Sequence, residues 1–269
     1  MSEAKVTILG CGSAKPTKTT SPSSQLVELR DKCFLVDCGE GTLLTMQRLG
    51  VRTSRLYNIF ISHLHGDHCF GLIGLLTTLG MLKRTQPMHI YAHADLEKLL
   101  TPLLEYHAND RQYDIIFHAI NPRKHEVIYE DHNVTVESVP LKHSVPTCGF
   151  LFKESKRIQL EDGTFERVTT KRYAYCSDTQ YSEKIVPIIE GVSTLYHEST
   201  FLQEMGARSK EVMHSTAAEA ATIAKKANVG KLIIGHYSAR VEDHNLFLDE
   251  AKPIFENTVL AEENLVFDI

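Results

Sequence analysis

The sequence lacks several features that mark familiar classes of protein. Its six cysteines show no CxxC spacing, it contains no repeat or low-complexity segment, and basic residues are not in excess, because the net charge is −5. The longest apolar run, residues 71–82, is shorter than the roughly 20 residues that a membrane-spanning helix needs. The N-terminus has no basic stretch followed by an apolar segment, so we expect no secretory signal. These absences argue against a membrane protein, an exported disulfide-rich protein and a uniformly basic nucleic-acid binder.

The composition predicts one folded domain. With 269 residues, of which 42% are hydrophobic and 23% charged, the chain is long enough to bury a large core. No composition shift or Pro/Gly-rich linker divides it, so we predict a single domain over residues 1–269. Cysteines scattered in this way are typical of reduced, buried thiols, which indicates a cytoplasmic protein.

Two periodicities run through the sequence. Strands are predicted at residues 5–9, 25–29, 33–37, 58–61, 89–92, 134–139, 173–176, 194–196, 231–234 and 264–267. Helices are predicted at residues 42–49, 72–82, 95–106, 182–189, 216–226 and 246–255. Early strands follow one another and later ones alternate with helices, which predicts an α/β sandwich with helices on the outer faces of the sheets. The pair Asp162-Gly163, between two partly alternating runs, predicts a β-hairpin at residues 157–168.

The densest group of metal-binding side chains lies in His63-Leu64-His65-Gly66-Asp67-His68. This stretch directly follows the strand predicted at 58–61, so we expect its side chains at the edge of a sheet. Imidazole and carboxylate groups without thiolate are typical of a catalytic zinc site rather than a structural one. Four such groups within six residues indicate a site for two metal ions.

Four later apolar runs each lead to a further candidate ligand, namely His143, Asp178, His197 and His236. The carboxyl ends of parallel strands gather at one edge of a sheet, where ligand sites form. Each of these residues alone is an ordinary polar residue after a strand, but their joint placement favours one site shared with residues 63–68. We interpret Asp37 differently, as a hydrogen-bonding partner of the histidine loop rather than a metal ligand.

The order of these residues, HxHxDH followed by His, Asp and His, resembles the metallo-β-lactamase superfamily over essentially the whole chain. Several stretches are similar in particular to the ribonuclease Z family, the tRNA 3′-processing endonucleases, in its short form. They are GCGSAKPT at 10–17, DCGEGT at 37–42, SHLHGDHCFGL at 62–72, SDT at 177–179, HEST at 197–200, HSTAAEAA at 214–221 and GHYSAR at 235–240. The resemblance implies a metallo-β-lactamase-like αββα sandwich, with two β-sheets flanked by helices.

The resemblance also implies two Zn²⁺ ions per subunit, with Mn²⁺ or Fe²⁺ as alternatives. The implied ligands are His63, His65 and His143 for one ion, Asp67, His68 and His236 for the other, and Asp178 as a bridge between them. The implied catalytic residues are Asp67, which accepts a proton from the attacking water, His214, which protonates the leaving 3′-oxygen, and Glu198, which orients or charges His214. His214 precedes Thr216-Ala217-Ala218-Glu219, a capping-box pattern that opens a helix whose N-terminus favours a nearby phosphate.

The family implies an endonuclease that removes the 3′ trailer from precursor tRNA and forms a homodimer. Two departures concern the substrate. The interval between His143 and Asp178 has room for little more than the hairpin at 157–168, so the arm that grips the tRNA elbow is predicted to be shortened. The family's PxKxRN loop reads PTKTTS at 16–21, which keeps Lys18 but not the Arg-Asn pair. A phosphodiesterase of small diesters, such as a cyclic nucleotide, is therefore the alternative, and a non-catalytic zinc-stabilised scaffold is a third reading.

Overall fold

The structure is a computed structural model that describes residues 4–269. The chain divides into two compact units. The first comprises residues 4–121, 235–244 and 261–268, and the second comprises residues 122–234, 245–260 and 269. Each unit contains one β-sheet and its own helices. The part of the chain that the structure describes contains no helix long and apolar enough to cross a lipid bilayer.

The first unit is built on a mixed seven-stranded sheet with the order β14-β1-β2-β3-β4-β5-β6. Its strands are β1 Lys5–Gly10, β2 Ser24–Leu29, β3 Lys32–Val36, β4 Leu56–Phe60, β5 Met88–Ala92, β6 Ile115–Ala119 and β14 Val266–Asp268. Strands β14, β1, β2 and β3 are antiparallel neighbours, whereas β3, β4, β5 and β6 run parallel. The parallel part brings the carboxyl ends of β3 and β4 to one edge, which is where the histidine loop begins.

Four helices belong to the first unit. They are α1 Thr42–Arg48, α2 Gly66–Cys69, α3 Gly71–Met81 and α4 Asp95–His107, and a 3-10 turn covers Thr53–Arg55. Leu96, Leu100 and Leu104 recur on one face of α4 and are buried. Together with the leucines of α3 they pack on apolar strand residues such as Ile59 and Ile90, which forms the core of this unit.

The second unit is built on another mixed seven-stranded sheet, with the order β13-β12-β11-β10-β9-β8-β7. Its strands are β7 Val127–Glu130, β8 Val134–Pro140, β9 Cys148–Gln159, β10 Phe165–Cys176, β11 Thr194–Glu198, β12 Lys231–Gly235 and β13 Thr258–Leu260. Strands β7 to β10 are antiparallel, whereas β11 runs parallel to β10 and β13 runs parallel to β12. The helices are α5 Val186–Ile189, α6 Gly206–Glu211, α7 Ala217–Lys226 and α8 Asn245–Ala251, with 3-10 turns at Glu183–Ile185 and Gln203–Met205.

Every strand and helix predicted from periodicity has a counterpart, with shifted ends in places. The helix predicted at 182–189 is a 3-10 turn followed by the short α5, and the helix predicted at 246–255 ends at Ala251. Periodicity missed β6, β7 and β13, the inner part of β9, and the short helices α2 and α6. Strands β6, β7 and β13 lie at the edges of their sheets, where partial exposure weakens the apolar alternation that predicts a strand.

The hairpin predicted around Asp162-Gly163 is present as the outer part of β9 and β10. Asp162 Oδ1 accepts a hydrogen bond of 2.9 Å from Thr164 N, and Gly163 takes the positive φ of 84° that the turn requires. Strand β8 pairs with β9 only as far as Glu154, and β11 pairs with β10 only from Tyr173 onwards. The tip of the hairpin therefore extends past the neighbouring strands as a short two-stranded ribbon.

Candidate functional site

The histidine loop follows β4 and continues into α2. His63 and His68 are fully buried, while His65 and Asp67 are partly exposed. His63 Nε2 lies 3.1 Å from His65 Nδ1, so both imidazoles present a nitrogen to the same point. The loop thus places donor atoms of the type and spacing that a metal ion requires.

Asp67, His68 and His236 form a second group in the same unit. Asp67 Oδ2 lies 3.5 Å from His68 Nε2 and 3.6 Å from His236 Nε2, and one ligand atom from each of the three residues falls within 4.8 Å of the other two. Burial alone would raise the pKa of Asp67. Hydrogen bonds from His236 and His68, together with the positive charge of these two rings, outweigh burial and hold the pKa of Asp67 well below its usual range. Ala14 N also donates to Asp67 Oδ2 at 2.8 Å, which fixes that oxygen.

Asp37 contacts the back of the histidine loop, as the sequence predicted. Its Oδ2 accepts a hydrogen bond of 2.7 Å from His68 Nδ1, and its Oδ1 accepts one of 2.8 Å from Ser62 N. A carboxylate that binds one ring nitrogen of a histidine in this way fixes the other nitrogen for a metal. The histidine loop also lies close to Gly39, two residues after Asp37. A Cβ at this position would come within 2.5 Å of Asp67 O, and only glycine avoids that clash.

Two residues of the first unit and one of the second adopt left-handed backbone conformations within two residues of the end of a strand. The φ angles are 55° for Asp37, 54° for Asp178 and 62° for His236. Non-glycine residues rarely occupy this region, and such strain concentrates at functional sites.

The second unit brings His143 and Asp178 together. His143 Nε2 lies 3.7 Å from Asp178 Oδ2, and both side chains are buried. The other ring nitrogen, Nδ1, lies 3.1 Å from Met213 O, to which it donates. Burial lowers the pKa of His143, against the opposing charge of Asp178, and so favours the neutral imidazole that metals bind.

Glu198 is fully buried and is surrounded by donors. Oε1 accepts from His214 Nδ1 at 2.8 Å and from Thr179 N at 2.7 Å. Oε2 accepts from Thr200 Oγ1 at 2.6 Å, from Ser215 N at 3.1 Å and from Thr200 N at 3.2 Å. Because His214 donates through Nδ1, its Nε2 is the atom left to exchange a proton with a substrate.

Thr179 connects the Glu198–His214 pair to His143 and Asp178 in the second unit. It directly follows Asp178, and its hydroxyl accepts a hydrogen bond of 3.1 Å from Lys142 N, next to His143. Its carbonyl accepts one of 2.6 Å from Ser215 Oγ. Sequence reasoning assigned no role to Thr179, Thr200 or Ser215, although each lies within a quoted motif, SDT, HEST or HSTAAEAA.

The donor sets fit divalent zinc. A tetrahedral zinc with ligands at about 2.0–2.1 Å keeps neighbouring ligand atoms about 3.3 Å apart. The distances between candidate ligand atoms are close to this value. They are 3.1 Å for His63–His65, 3.5 Å for Asp67–His68, 3.6 Å for Asp67–His236 and 3.7 Å for His143–Asp178. His197, a further candidate from the strand-end pattern, is in neither unit's group. It is buried in β11, where Nδ1 donates to Glu198 O at 2.7 Å and burial lowers its pKa.

Comparison with solved structures identifies the fold. Human tRNase Z, short form, matches with a TM-score of 0.81 at 26% identity, covering 98% of this chain and 99% of that one. The metallo-β-lactamase fold protein YhfI from Bacillus subtilis matches with a TM-score of 0.79 at 25% identity, covering 100% of both chains. The protein therefore has the metallo-β-lactamase fold, with two mixed β-sheets flanked by helices, and this prediction is confirmed.

Sequence comparison identifies the family. Ribonuclease Z of Phocaeicola vulgatus is 44% identical over 100% of this chain and 98% of that protein, and ribonuclease Z of Azobacteroides pseudotrichonymphae is 45% identical over 100% of both. A family model described as anti-Pycsar protein Apyc1 matches residues 4–255. The chain belongs to the ribonuclease Z family and to the family that this model describes.

Proposed function

We propose that the protein is a metal-dependent endoribonuclease that removes the 3′ trailer from precursor tRNA and leaves a 3′-hydroxyl on the tRNA. The observation that carries this proposal is the buried Glu198–His214 pair in a member of the ribonuclease Z family. A metal site alone serves many hydrolytic reactions on this fold. Cleavage of RNA also needs a positioned proton donor, because the sugar oxygen would otherwise leave as an alkoxide, which is a poor leaving group.

The proposed ligands follow the family pattern. By this pattern, His63, His65 and His143 would hold one zinc ion, Asp67, His68 and His236 would hold the other, and Asp178 would serve both. The groups found within each unit support this division, since His63 pairs with His65, Asp67 with His68 and His236, and His143 with Asp178. Bound divalent ions supply Lewis-acid stabilisation of the phosphoryl oxygens and lower the pKa of water.

The chain's own residues complete the reaction. Asp67 accepts a proton from the attacking water, and the hydrogen bond from Ala14 N keeps its Oδ2 in place. His214 Nε2 gives a proton to the leaving 3′-oxygen, while Glu198 stabilises the positive charge on the ring. The N-terminus of α7, with the capping box of Thr216 and Glu219 that the sequence predicted, follows His214 by two residues and favours a nearby phosphate.

Hydrolysis of a small diester, such as a cyclic nucleotide, is the second candidate. It is favoured by the size of the chain. The alignment with the Phocaeicola protein spans 304 positions, whereas this chain has 269 residues, so 35 of those positions carry no residue of this chain. We propose that the shortened segment is the hairpin arm at 157–168 of a single-domain enzyme, which leaves less surface for a long RNA.

We further propose that the enzyme is a cytoplasmic homodimer. All six cysteines are buried and unpaired within the described residues, which fits a reducing compartment. In the first unit, Phe70 and Met81 at the two ends of α3 are 71% and 78% exposed, and Tyr106 of α4 is 81% exposed. Exposed apolar side chains on neighbouring helices are typical of an interface. Light scattering that shows only monomer at micromolar concentration removes this part of the proposal.

The deciding experiment compares three substrates on metal-loaded and chelated enzyme: a precursor tRNA with a 3′ trailer, bis(p-nitrophenyl) phosphate and a cyclic nucleotide. We expect a metal-dependent cut near the 3′ end of the tRNA that is faster than hydrolysis of either small diester. Hydrolysis of the small diesters with the tRNA untouched favours the second candidate. Inactivity on all three indicates a non-catalytic scaffold.

A further inference from the structure

A cavity of about 300 Å³ in the first unit lies apart from the proposed metal ligands. It is lined by Thr7 of β1, Leu26 of β2 and Cys33 of β3, and one wall is the segment 49–52 that follows α1. This volume is at the lower end of the range of about 300–1,000 Å³ that small-ligand pockets occupy. The cavity therefore has the size for a small molecule and not for a folded macromolecule.

The cavity and the histidine loop lie at opposite ends of the same strands. Cys33 is near the start of β3 and Arg55 directly precedes β4, whereas Asp37 and the histidine loop follow the carboxyl ends of these two parallel strands. A strand rises by about 3.3 Å per residue, so the distance along β3 from Cys33 to Asp37 is about 13 Å. A small molecule in the cavity is therefore separate from the proposed metal ligands.

The lining carries an excess of positive charge, in a protein whose net charge is −5. Three cationic side chains, those of Lys5, Arg52 and Arg55, line the cavity together with the single carboxylate of Glu28. Lys5 Nζ lies 3.1 Å from Glu28 Oε2, and Arg55 Nη1 lies 3.9 Å from Glu28 Oε1. Glu28 is thus shared by two cations, while the exposed Arg52 forms no ion pair with any residue that the structure describes. Its guanidinium group is available for an anion, and its forked donors suit a phosphate.

The interior offers a buried hydroxyl group and an apolar surface. Thr7 is only 6% exposed, and its hydroxyl forms no hydrogen bond within residues 4–269. Buried polar groups normally have a partner, so this hydroxyl indicates that a polar atom binds in the cavity. Several uncharged lining residues are apolar, namely Leu26, Leu49, Val51 and Val266. The lining therefore suits a molecule with an anionic group at one end and an apolar body at the other.

We infer that this cavity binds a small organic phosphate of mononucleotide size, with Arg52 on the phosphate and the apolar lining against the body of the ligand. Neither the candidate metal ligands nor the Glu198–His214 pair takes part, so the inference goes beyond the proposed function and does not depend on it. The carboxylate of Glu28 competes with the phosphate for the two cations that it neutralises. Removing that carboxylate should tighten binding, whereas removing Arg52 should weaken it.

The test is calorimetry on the metal-loaded protein with three probes: adenosine 5′-monophosphate, adenosine and inorganic phosphate. We expect the monophosphate to bind about tenfold more tightly than either other probe, because only the monophosphate has both the anion and the apolar body. Arg52→Ala should weaken the monophosphate about tenfold, the effect of losing one hydrogen bond to a charged group. Glu28→Gln should tighten it about threefold, within the range that an exposed ion pair contributes. The matched control is Arg48→Ala, which removes the same charge from an exposed residue of α1 outside the cavity and should leave the affinity unchanged.

Phosphates also bind metal ions, so the variants decide where the monophosphate is bound. Binding that survives Arg52→Ala, or that falls equally in Arg52→Ala and Arg48→Ala, overturns the inference. Inorganic phosphate bound as tightly as the monophosphate overturns it as well, because the cavity would then be no more than a patch of positive charge. Hydrolysis of bis(p-nitrophenyl) phosphate should be the same in both arginine variants, and its loss in Arg52→Ala alone contradicts a site that is separate from catalysis.

Discussion

The substitution Glu198→Gln tests how the buried carboxylate acts on His214. Oε1 faces two donors, Thr179 N and His214 Nδ1, and Oε2 faces three, from Thr200 and Ser215. An amide has only one acceptor oxygen, so in either orientation its NH₂ group opposes at least one fixed main-chain N–H. We expect the free energy of unfolding to fall by about 1–3 kcal/mol, the usual cost of one unsatisfied buried polar group.

The effect on catalysis should depend on the leaving group. Without the negative charge of Glu198, the protonated form of His214 loses its stabilisation, although the ring remains. Cleavage of precursor tRNA should therefore slow by about 10²-fold, the lower end of the range for general acid catalysis. Bis(p-nitrophenyl) phosphate releases nitrophenolate, which is stable as an anion and needs no proton, so its rate should change little. Both kcat values and the zinc content are measured on the same preparation.

An equal loss on both substrates would refute this reasoning, because it would mean that Glu198 supports the metal site rather than the proton donor. Loss of zinc would have the same meaning. A matched control is Glu183→Gln in the same unit, where an exposed carboxylate pairs with Lys226. Exposed pairs of this kind contribute about 0–1 kcal/mol, so neither stability nor activity should change measurably.

Four further outcomes are expected. Asp178→Ala should abolish activity and lower zinc content measured by atomic absorption, and retained two-zinc stoichiometry contradicts a bridging role. Chelation should lower the melting temperature, because metal at 100 times its Kd stabilises the folded state by about 2.7 kcal/mol. Glu137 is partly buried. Burial raises its pKa, but hydrogen bonds from Lys153 and His125 outweigh burial and lower the pKa below its usual value. The stabilisation by its charge is therefore fully present above the unfolded pKa of about 4.3 and is lost as the pH falls through the lower folded pKa. Glu137→Gln should destabilise the protein in urea at pH 7, and the difference from the unchanged protein should shrink steadily as the pH is lowered below about 4. Finally, an acceptor-stem duplex without the tRNA elbow should be cut nearly as well as full-length precursor tRNA if the arm is short, and a large loss contradicts that proposal.

The groups of candidate metal ligands could be predicted from the sequence because metal chemistry restricts the residue types. Few residues other than histidine and aspartate supply neutral nitrogen and carboxylate ligands, and strand ends deliver them to one edge. The same reasoning failed for His197, which ends an equally suitable apolar run. His197 lies in β11, where its Nδ1 donates to Glu198 O. All five residues of this strand are buried, so the sequence shows no alternation that would tell which face His197 occupies.

The hydroxyl network around Glu198 could not be predicted from the residues alone. Threonine and serine donate and accept hydrogen bonds everywhere in proteins, so Thr200 and Ser215 carry no signal of their own. Their roles arise from long-range packing, since Ser215 bonds to Thr179 across 36 residues and to Glu198 across 17. The preference of a metal ion for certain ligand atoms restricts which residue types can bind it, whereas the residues around the proposed proton donor are brought together only by the fold. Substrate choice generally depends even more on loops, and the loop Thr17–Thr20 departs from the family motif while the proposed zinc ligands keep it, so the two properties can evolve separately.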